Sequence, residues 1–337
     1  IRSLKLSNCQ LVSLPRSLEN LKDLEILDLS RNNLTTLTAI PVRSLPCLKS
    51  FNVSHNRITA IGDVVKEMRA LQNLDASYNK VEEIPHEILE MESLEAFSCS
   101  NNKIKRWLDA SNEEEQDRAS GTLKFLNLSN NLLPEVPRVV KELKNLSLIG
   151  LSNNRIVEVP AAMLLMKNLK ALILGGNKIA KLPTDLDLNR LSPTLCVIDL
   201  SGNELDDLPL ALCFLTSLER LDLKHNKIST LSENVKSCKS LSFLCISGNK
   251  LKQIPPHINS VSSLRNDTSS MIEVIALAEN SLSHFPLALT QMKQLKKADL
   301  SNNDINVIPQ SIMAMPKDVK LNLRDNPIID PPLQVCQ

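Results

Sequence analysis

The sequence has few aromatic residues, little net charge and no long apolar run. Phenylalanine, tyrosine and tryptophan together make up only 2% of its 337 residues, so leucine and other aliphatic side chains must fill its core. No stretch of about 18 consecutive apolar residues occurs, which predicts that the chain has no transmembrane span. The formal net charge of +1 gives no argument for binding nucleic acid or an anionic membrane.

Residue clusters that would carry chemistry are also missing from the sequence. The five histidines are scattered, and no glycine-rich nucleotide-binding motif is present. The eight cysteines form no C-x-x-C pair and do not cluster at the ends of the chain. We therefore predict no enzymatic activity, no metal and no cofactor. Scattered free thiols are typical of a reducing compartment, so we expect a cytoplasmic location.

What the sequence does contain is a pattern that recurs fourteen times. It consists of an apolar residue, two variable residues, an apolar-x-apolar pair, two variable residues, asparagine, one residue and a final apolar residue, as in residues 24–34 (LEILDLSRNNL). Most copies follow each other after 23 residues. We call the position of this asparagine the ladder position; the first repeat has a cysteine there. The ladder positions are Cys9, Asn32, Asn56, Asn79, Asn102, Asn131, Asn154, Asn177, Asn203, Asn226, Asn249, Asn280, Asn303 and Asn326.

The apolar-x-apolar pair predicts a short β-strand with its leucines on one side, because strand side chains alternate with a period of two. One such strand cannot bury its apolar side alone, whereas stacked copies can, so we predict a parallel sheet built from successive repeats. Nine repeats then carry an apolar-proline pair such as Leu208–Pro209. Proline ends the strand, and we expect the chain to return over the back through short helical or 3₁₀ turns.

The ladder asparagines are predicted to have a structural role. Each lies where the chain leaves its strand and turns into the interior, so its amide is expected to bond the backbone of its own and the next repeat. An unpaired buried amide would cost about 1–3 kcal/mol, so we expect a continuous row of hydrogen bonds.

This pattern resembles the leucine-rich repeat family, whose consensus is L-x-x-L-x-L-x-x-N/C-x-L. The 23-residue repeat with Leu-Pro in its second half is similar to the intracellular Ras-group type. The resemblance implies an α/β leucine-rich repeat solenoid curved like a horseshoe, with a parallel sheet on the concave face and short helical or 3₁₀ turns on the convex face. We expect a single domain over residues 1–337 of about fourteen repeats. Both ends look cut, so we also expect the chain to be a fragment of a longer one.

Three repeats are longer than the others, with insertions near residues 108–121, 185–194 and 265–271. The first insertion is acidic and polar, and the other two lie in loops between predicted strands. Insertions in repeat solenoids go into loops, which carry function more often than the core does. Tolerated loops without any function are the alternative at each place.

Strand residues that point away from the core form columns across the repeats, about 4.8 Å apart. The column four residues before the ladder position is mildly acidic, and either a basic partner or simple solvation explains it. The column six before is mostly apolar from the sixth to the twelfth repeat, which is typical of a binding site. The alternative is that these side chains pack against neighbouring strands or that an inserted loop covers them. The predicted partner-binding residues, with one from the column four before, are Phe125, Leu148, Ile173, Val197, Arg220, Phe243 and Val274.

Three functions fit these observations. The first is an intracellular signalling scaffold that binds a protein on its concave face, and the family resemblance implies a small GTPase, phosphatase or kinase as partner. The second is the recognition segment of a larger kinase, phosphatase or GTPase whose catalytic domain lies outside this fragment. The third is an extracellular receptor, which the missing cysteine clusters at the ends argue against.

Overall fold

The computed structural model describes residues 1–37, 40–108, 121–232, 235, 237–259 and 271–329. The predicted insertion near 185–194 lies within this part, whereas those near 108–121 and 265–271 lie almost entirely outside the described residues. The chain forms two compact units, an N-terminal unit (Ile1–Ile156) and a C-terminal unit (Val157–Gln337). A single domain over the whole chain stays a prediction.

The described part of the N-terminal unit has seven parallel strands that pair in chain order and one separate strand pair. The seven strands are β1 (Ser3–Lys5), β2 (Ile26–Asp28), β3 (Ser50–Asn52), β4 (Asn73–Asp75), β6 (Ala96–Ser98), β8 (Phe125–Asn127) and β9 (Leu148–Gly150). The separate pair joins β5 (Glu83–Ile84) to β7 (Arg106–Trp107). The 3₁₀ helices are Arg16–Asn20, Val42–Ser44, Asp63–Glu67, His86–Glu90 and Arg138–Glu142.

The described part of the C-terminal unit repeats this arrangement with seven further parallel strands in chain order. They are β10 (Ala171–Ile173), β11 (Val197–Asp199), β12 (Arg220–Asp222), β13 (Phe243–Cys245), β14 (Val274–Ala276), β15 (Lys297–Asp299) and β16 (Lys320–Asn322). Two short α-helices are α1 (Ala161–Leu165) and α2 (Leu210–Cys213). The 3₁₀ helices are Leu188–Arg190, Pro256–Asn259, Leu287–Gln291 and Gln310–Ala314.

Each of the fourteen strands that pair in chain order is three residues long. The middle residue of each strand points into the core. Leu27 of β2, Leu221 of β12 and Leu244 of β13 are fully buried. Burial of one leucine contributes about 1.5–3 kcal/mol, so stacking of the repeats supplies most of the stability that a single repeat lacks. The first and third residues of the strands lie on the opposite side, which we call the open face.

Proline precedes many of the helical turns, as the sequence predicts. Pro85, Pro160, Pro209 and Pro309 each lie in extended backbone directly before the first helical residue. The longest described helices have five residues, and most of them are 3₁₀. None of the described helices has the length and hydrophobicity that crossing a membrane requires. The predicted α/β architecture, with a parallel sheet and short helical turns, is confirmed.

The predicted asparagine ladder is confirmed, but the second repeat that each asparagine bonds is the preceding one rather than the next one. The Nδ2 of Asn226 donates to the carbonyl oxygens of Leu200 and Leu223 at 2.9 and 3.0 Å, and its Oδ1 accepts from the Leu205 amide at 3.0 Å. Leu200 and Leu205 belong to the preceding repeat, so each asparagine joins two repeats. Equivalent bonds are made by Asn32, Asn56, Asn79, Asn102, Asn131, Asn154, Asn203, Asn249, Asn280, Asn303 and Asn326.

One backbone feature of the repeat was not predicted. The residue before every ladder position has a left-handed conformation, with φ between 52° and 70°. Glycine and asparagine adopt this conformation at little cost, which explains their frequency at this place. Larger residues also occur there, and two of them, His55 and Tyr78, stack with their ring centroids 4.1 Å apart.

Candidate functional site

The open face of the C-terminal unit brings five of the predicted residues together. Val197, Arg220, Phe243 and Val274 are the first residues of β11 to β14, and each lies opposite the next in the parallel register. They form one column with a spacing of about 4.8 Å, which we call the first column. Ile173 is the third residue of β10 and lies in the adjacent second column.

The other two predicted residues form a separate pair on the open face of the N-terminal unit. Phe125 of β8 lies opposite Leu148 of β9 on one side and Ala96 of β6 on the other. Phe125 also lines a shallow depression of about 220 Å³, together with polar side chains such as Ser50 and Asn73. This pair is therefore surrounded mainly by serine and asparagine rather than by further apolar residues.

Exposure of the predicted residues is intermediate rather than full. All six apolar side chains are half-buried, and only Arg220 is exposed. Part of each apolar side chain is therefore covered by its neighbours, in line with the alternative interpretation. The remaining part presents apolar surface to solvent, which keeps them available for a contact.

Arg220 lies over the ring of Phe243, with its guanidinium carbon 3.7 Å from the ring centroid. A cation–π contact of this kind contributes about 0.5–1 kcal/mol at an exposed site. Arg220 makes no ion pair with any residue that the structure describes. Its guanidinium donors therefore remain free to bind a carboxylate or a backbone carbonyl of a partner.

The mildly acidic second column has a structural role that the sequence analysis left open. Asp222 accepts a hydrogen bond from the backbone amide of Lys224, two residues further along, at 3.0 Å. Such a bond closes a turn at the end of the strand. The same bond is made by Asp28, Asn52, Asp75, Asn127, Asp199, Asp299 and Asn322.

Three repeats of the C-terminal unit replace this turn-forming residue by an apolar or sulfur-containing one, at Ile173, Cys245 and Ala276. The sequence analysis singled out only Ile173; departure from the Asp/Asn pattern was the signal that identifies the other two. Since Cys245 pairs with Ala276 and Phe243 with Val274, all four open-face positions of β13 and β14 lack polar side chains. We call Phe243, Cys245, Val274 and Ala276 the apolar quartet.

Cations border the apolar quartet on both sides. Arg220 precedes it in the first column, while Lys297 of β15 and Lys320 of β16 follow it. Both lysines are exposed and form no ion pair within the described ranges, in contrast to Lys296, which lies 2.8 Å from Glu273. The arrangement offers an apolar centre with positive charge at its edges, which suits recognition of a protein surface.

Reactive groups do not converge in the described part of the chain. Its seven cysteines are free, as predicted, and three of them, Cys99, Cys213 and Cys238, are fully buried. Burial raises the pKa of the Cys99 thiol, and a hydrogen bond with Cys238 together with burial raises that of Cys213. Neutral thiols are poor nucleophiles. Among the described residues, no cluster of His, Cys, Asp and Glu has an arrangement that would hold a metal ion.

Comparison with known proteins finds a family model that matches two parts of the chain and solved structures with the same fold. The leucine rich repeat family model matches residues 1–58 and 193–251. A leucine-rich repeat protein of Leptospira interrogans has a TM-score of 0.85 and 25% identity, over 97% of this chain and 84% of that one. YopM, an effector protein from Yersinia pestis, has a TM-score of 0.69 and 27% identity, with coverage of 97% and 84%. No curated protein sequence matches the chain.

A receptor from plants has the same fold. The Arabidopsis receptor kinase HAESA, in complex with the peptide hormone IDA and the co-receptor SERK1, has a TM-score of 0.68 and 30% identity. The alignment covers 97% of this chain and 54% of the HAESA chain. Together with the matched repeats, the parallel strands and the asparagine ladder, these neighbours support placing the chain in the leucine-rich repeat family, with the fold of a leucine-rich repeat solenoid.

Proposed function

We propose that this chain is a protein–protein interaction module whose partner binds on the open face of the C-terminal unit. The observation that carries the proposal is the apolar quartet, whose two second-column positions are polar in most other repeats. Apolar side chains on a sheet face, three of them half-buried, with exposed cations beside them, are typical of an interface centre and its rim.

The energetics of the second column support this assignment. Aspartate or asparagine at this position forms a turn hydrogen bond that contributes about 0.5–1.5 kcal/mol. Ala276 cannot form this bond, and it leaves a half-buried methyl group on the open face. This change does not stabilise the scaffold, whereas it favours contact with the apolar surface of a partner.

The proposed contact surface of the C-terminal unit includes five of the residues that the sequence predicted. Arg220 would bind polar groups of the partner while its stem and the Phe243 ring supply apolar area. With two further residues of the second column, this surface comprises Ile173, Val197, Arg220, Phe243, Cys245, Val274 and Ala276. Phe125 and Leu148 are proposed as a separate contact of the N-terminal unit.

We propose further that the partner is a signalling protein and that the chain acts in the cytoplasm as a scaffold of the Ras-group type. The 23-residue repeat and the free cysteines support this assignment. The complex of HAESA with a peptide hormone supports a protein or peptide as ligand class. Small GTPases, phosphatases and kinases are the partners that the family resemblance implies.

The proposal is tested with Phe243→Asp, which places a carboxylate at the centre of the surface. Partner proteins are captured from cell lysate on the tagged wild-type chain and on the variant, and are quantified by mass spectrometry. We expect the amount of the main partner to fall at least about tenfold, because the change removes the aromatic ring from the interface centre and provides a carboxylate that can pair with Arg220 in place of the partner. Phe125→Asp, made separately, measures whether the N-terminal pair contributes.

Asn73→Asp is the matched control, because Asn73 is exposed and lies in the first column of the N-terminal unit. This variant should capture the partner as the wild type does. All three variants should keep the thermal midpoint within about 2 °C of wild type, since they change partly or fully exposed side chains. Undiminished capture by Phe243→Asp with an intact fold would remove the C-terminal open face from consideration.

A further inference from the structure

The return segments of the C-terminal unit form its back. Among the described residues, this back contains a groove of about 370 Å³ between two successive repeats. Leucine is the most frequent residue type in its lining. The leucines at its floor are buried, and those at its mouth are half-buried or exposed. The leucines that line this back groove are Leu182, Leu186, Leu188, Leu205, Leu208 and Leu210.

The groove coincides with the three-residue insertion near 185–194. In the following repeat, helix α2 starts directly after Pro209, at Leu210. After Pro183, by contrast, helical structure starts only at Leu188. Because no helical turn directly follows Pro183, Leu186 and Leu188 are left half-buried at the mouth of the groove. The insertion therefore creates a concave apolar site instead of a loop that merely projects into solvent.

Carboxylates surround this apolar site. In the insertion, Asp185 and Asp187 alternate with the groove-lining Leu186 and Leu188. In the following repeat, Asp206 and Asp207 contribute to the groove itself. All four aspartates are exposed, and none forms an ion pair with another described residue.

Only two cations lie in the same two segments. Lys181 lines the groove, and Arg190 ends the 3₁₀ helix of the insertion. The carboxylates thus outnumber the cations by four to two around the mouth. Glu204 is not included, because Lys227 lies 2.8 Å from it and balances its charge.

We infer that the back groove binds a basic amphipathic segment of a partner protein. Its volume is near the lower end of the about 300–1,000 Å³ of ligand sites, which suits one or two large apolar side chains rather than a whole domain. Lysine or arginine next to these anchors would then meet the aspartates at the mouth. An acidic segment would meet like charges there, so charge selects the occupant.

The inference is tested with a random peptide library displayed on phage, selected on the full chain. We expect the recovered peptides to combine large apolar residues with a net positive charge. Leu186→Asn should weaken their binding at least about tenfold, since it removes apolar contact without changing the charge of the groove. The double variant Asp185→Lys/Asp206→Lys should weaken it to a similar degree, because it replaces two attractions by two repulsions.

Asp304→Lys/Asp318→Lys is the matched control, since both carboxylates are exposed, belong to the C-terminal unit and do not line the groove. It should bind the peptides as the wild type does. Leu210→Gln provides a second variant with less apolar contact in case Leu186→Asn lowers the thermal midpoint, because Leu210 is 48% exposed. Recovery of acidic peptides, equal binding to the charge-reversed variant, or no groove-dependent peptide at all would overturn the inference. The open-face proposal is unaffected by these outcomes, because it concerns the other side of the sheet.

Discussion

Replacement of Asn226 by alanine should destabilise the C-terminal unit by about 2–4 kcal/mol, and the estimate follows from the groups that lose a partner. The buried Leu205 amide loses Asn226 Oδ1, its only acceptor among the described residues, at a cost of about 1–3 kcal/mol. The carbonyl oxygens of Leu200 and Leu223 keep one donor each, from Asn203 and Asn249, so their loss is smaller, about 0.5 kcal/mol each.

Hydrogen exchange measures this effect where it should be largest. Exchange of the Leu205 amide should accelerate roughly 30- to 700-fold, because about 1.4 kcal/mol corresponds to a factor of ten. Asn226→Asp separates the two halves of the interaction, since it keeps the acceptor for the Leu205 amide but removes the donor. It should protect that amide better than alanine does, while placing a carboxylate near two carbonyl oxygens.

Asn306→Ala is the control for this experiment, because Asn306 is exposed and its side chain is not part of the ladder. It should leave exchange at Leu205 unchanged. If Asn226→Ala also changed that exchange less than about threefold, the asparagine row would not carry the stability assigned to it.

Three further outcomes are expected. Gly248→Ala should lower stability by about 1–2 kcal/mol in urea unfolding, because φ is +67° and the new Cβ would collide with the His225 ring; His225→Ala in the same chain should restore the steric part. Ala276→Asn should raise stability by about 0.5–1 kcal/mol by supplying the missing turn acceptor for the Ala278 amide, while weakening partner capture. Cys213 should resist alkylation in the native chain and react on unfolding, as mass spectrometry would show; native labelling would contradict its neutral, buried state.

Much of the fold could be predicted because every repeat carries the same sequence pattern. Period-two leucines, a ladder asparagine and a following proline determine the strand, the interior turn and the return segment. The choice between α and 3₁₀ in a five-residue turn depends on one or two hydrogen bonds, so α1 (Ala161–Leu165) was not distinguishable from its 3₁₀ counterparts. The left-handed residue before each ladder position has no single residue type as its signal, since arginine, histidine and tyrosine also occupy it.

The candidate site was less predictable, for a physical reason. Sequence spacing places Phe243 and Val274 in one column, but it does not show how far each side chain leans on its neighbours. It also did not reveal that Asp222 is tied to its own backbone, so the acidic column looked like a possible binding strip. The back groove depends on the residue at which the helix after Pro183 begins. The length of the insertion alone does not predict that residue.

In a repeat protein, the residues that the scaffold requires and those that a ligand requires can be separated energetically. At the second-column position, aspartate or asparagine closes a turn in eight repeats, so a polar residue there is explained by the fold alone. Ala276 gives up that hydrogen bond, and no described interaction within its strand compensates for it. Ala276→Asn therefore tests the assignment directly: if it stabilised the chain and left partner capture intact, the apolar quartet would have no demonstrable use, and the open-face proposal would fail.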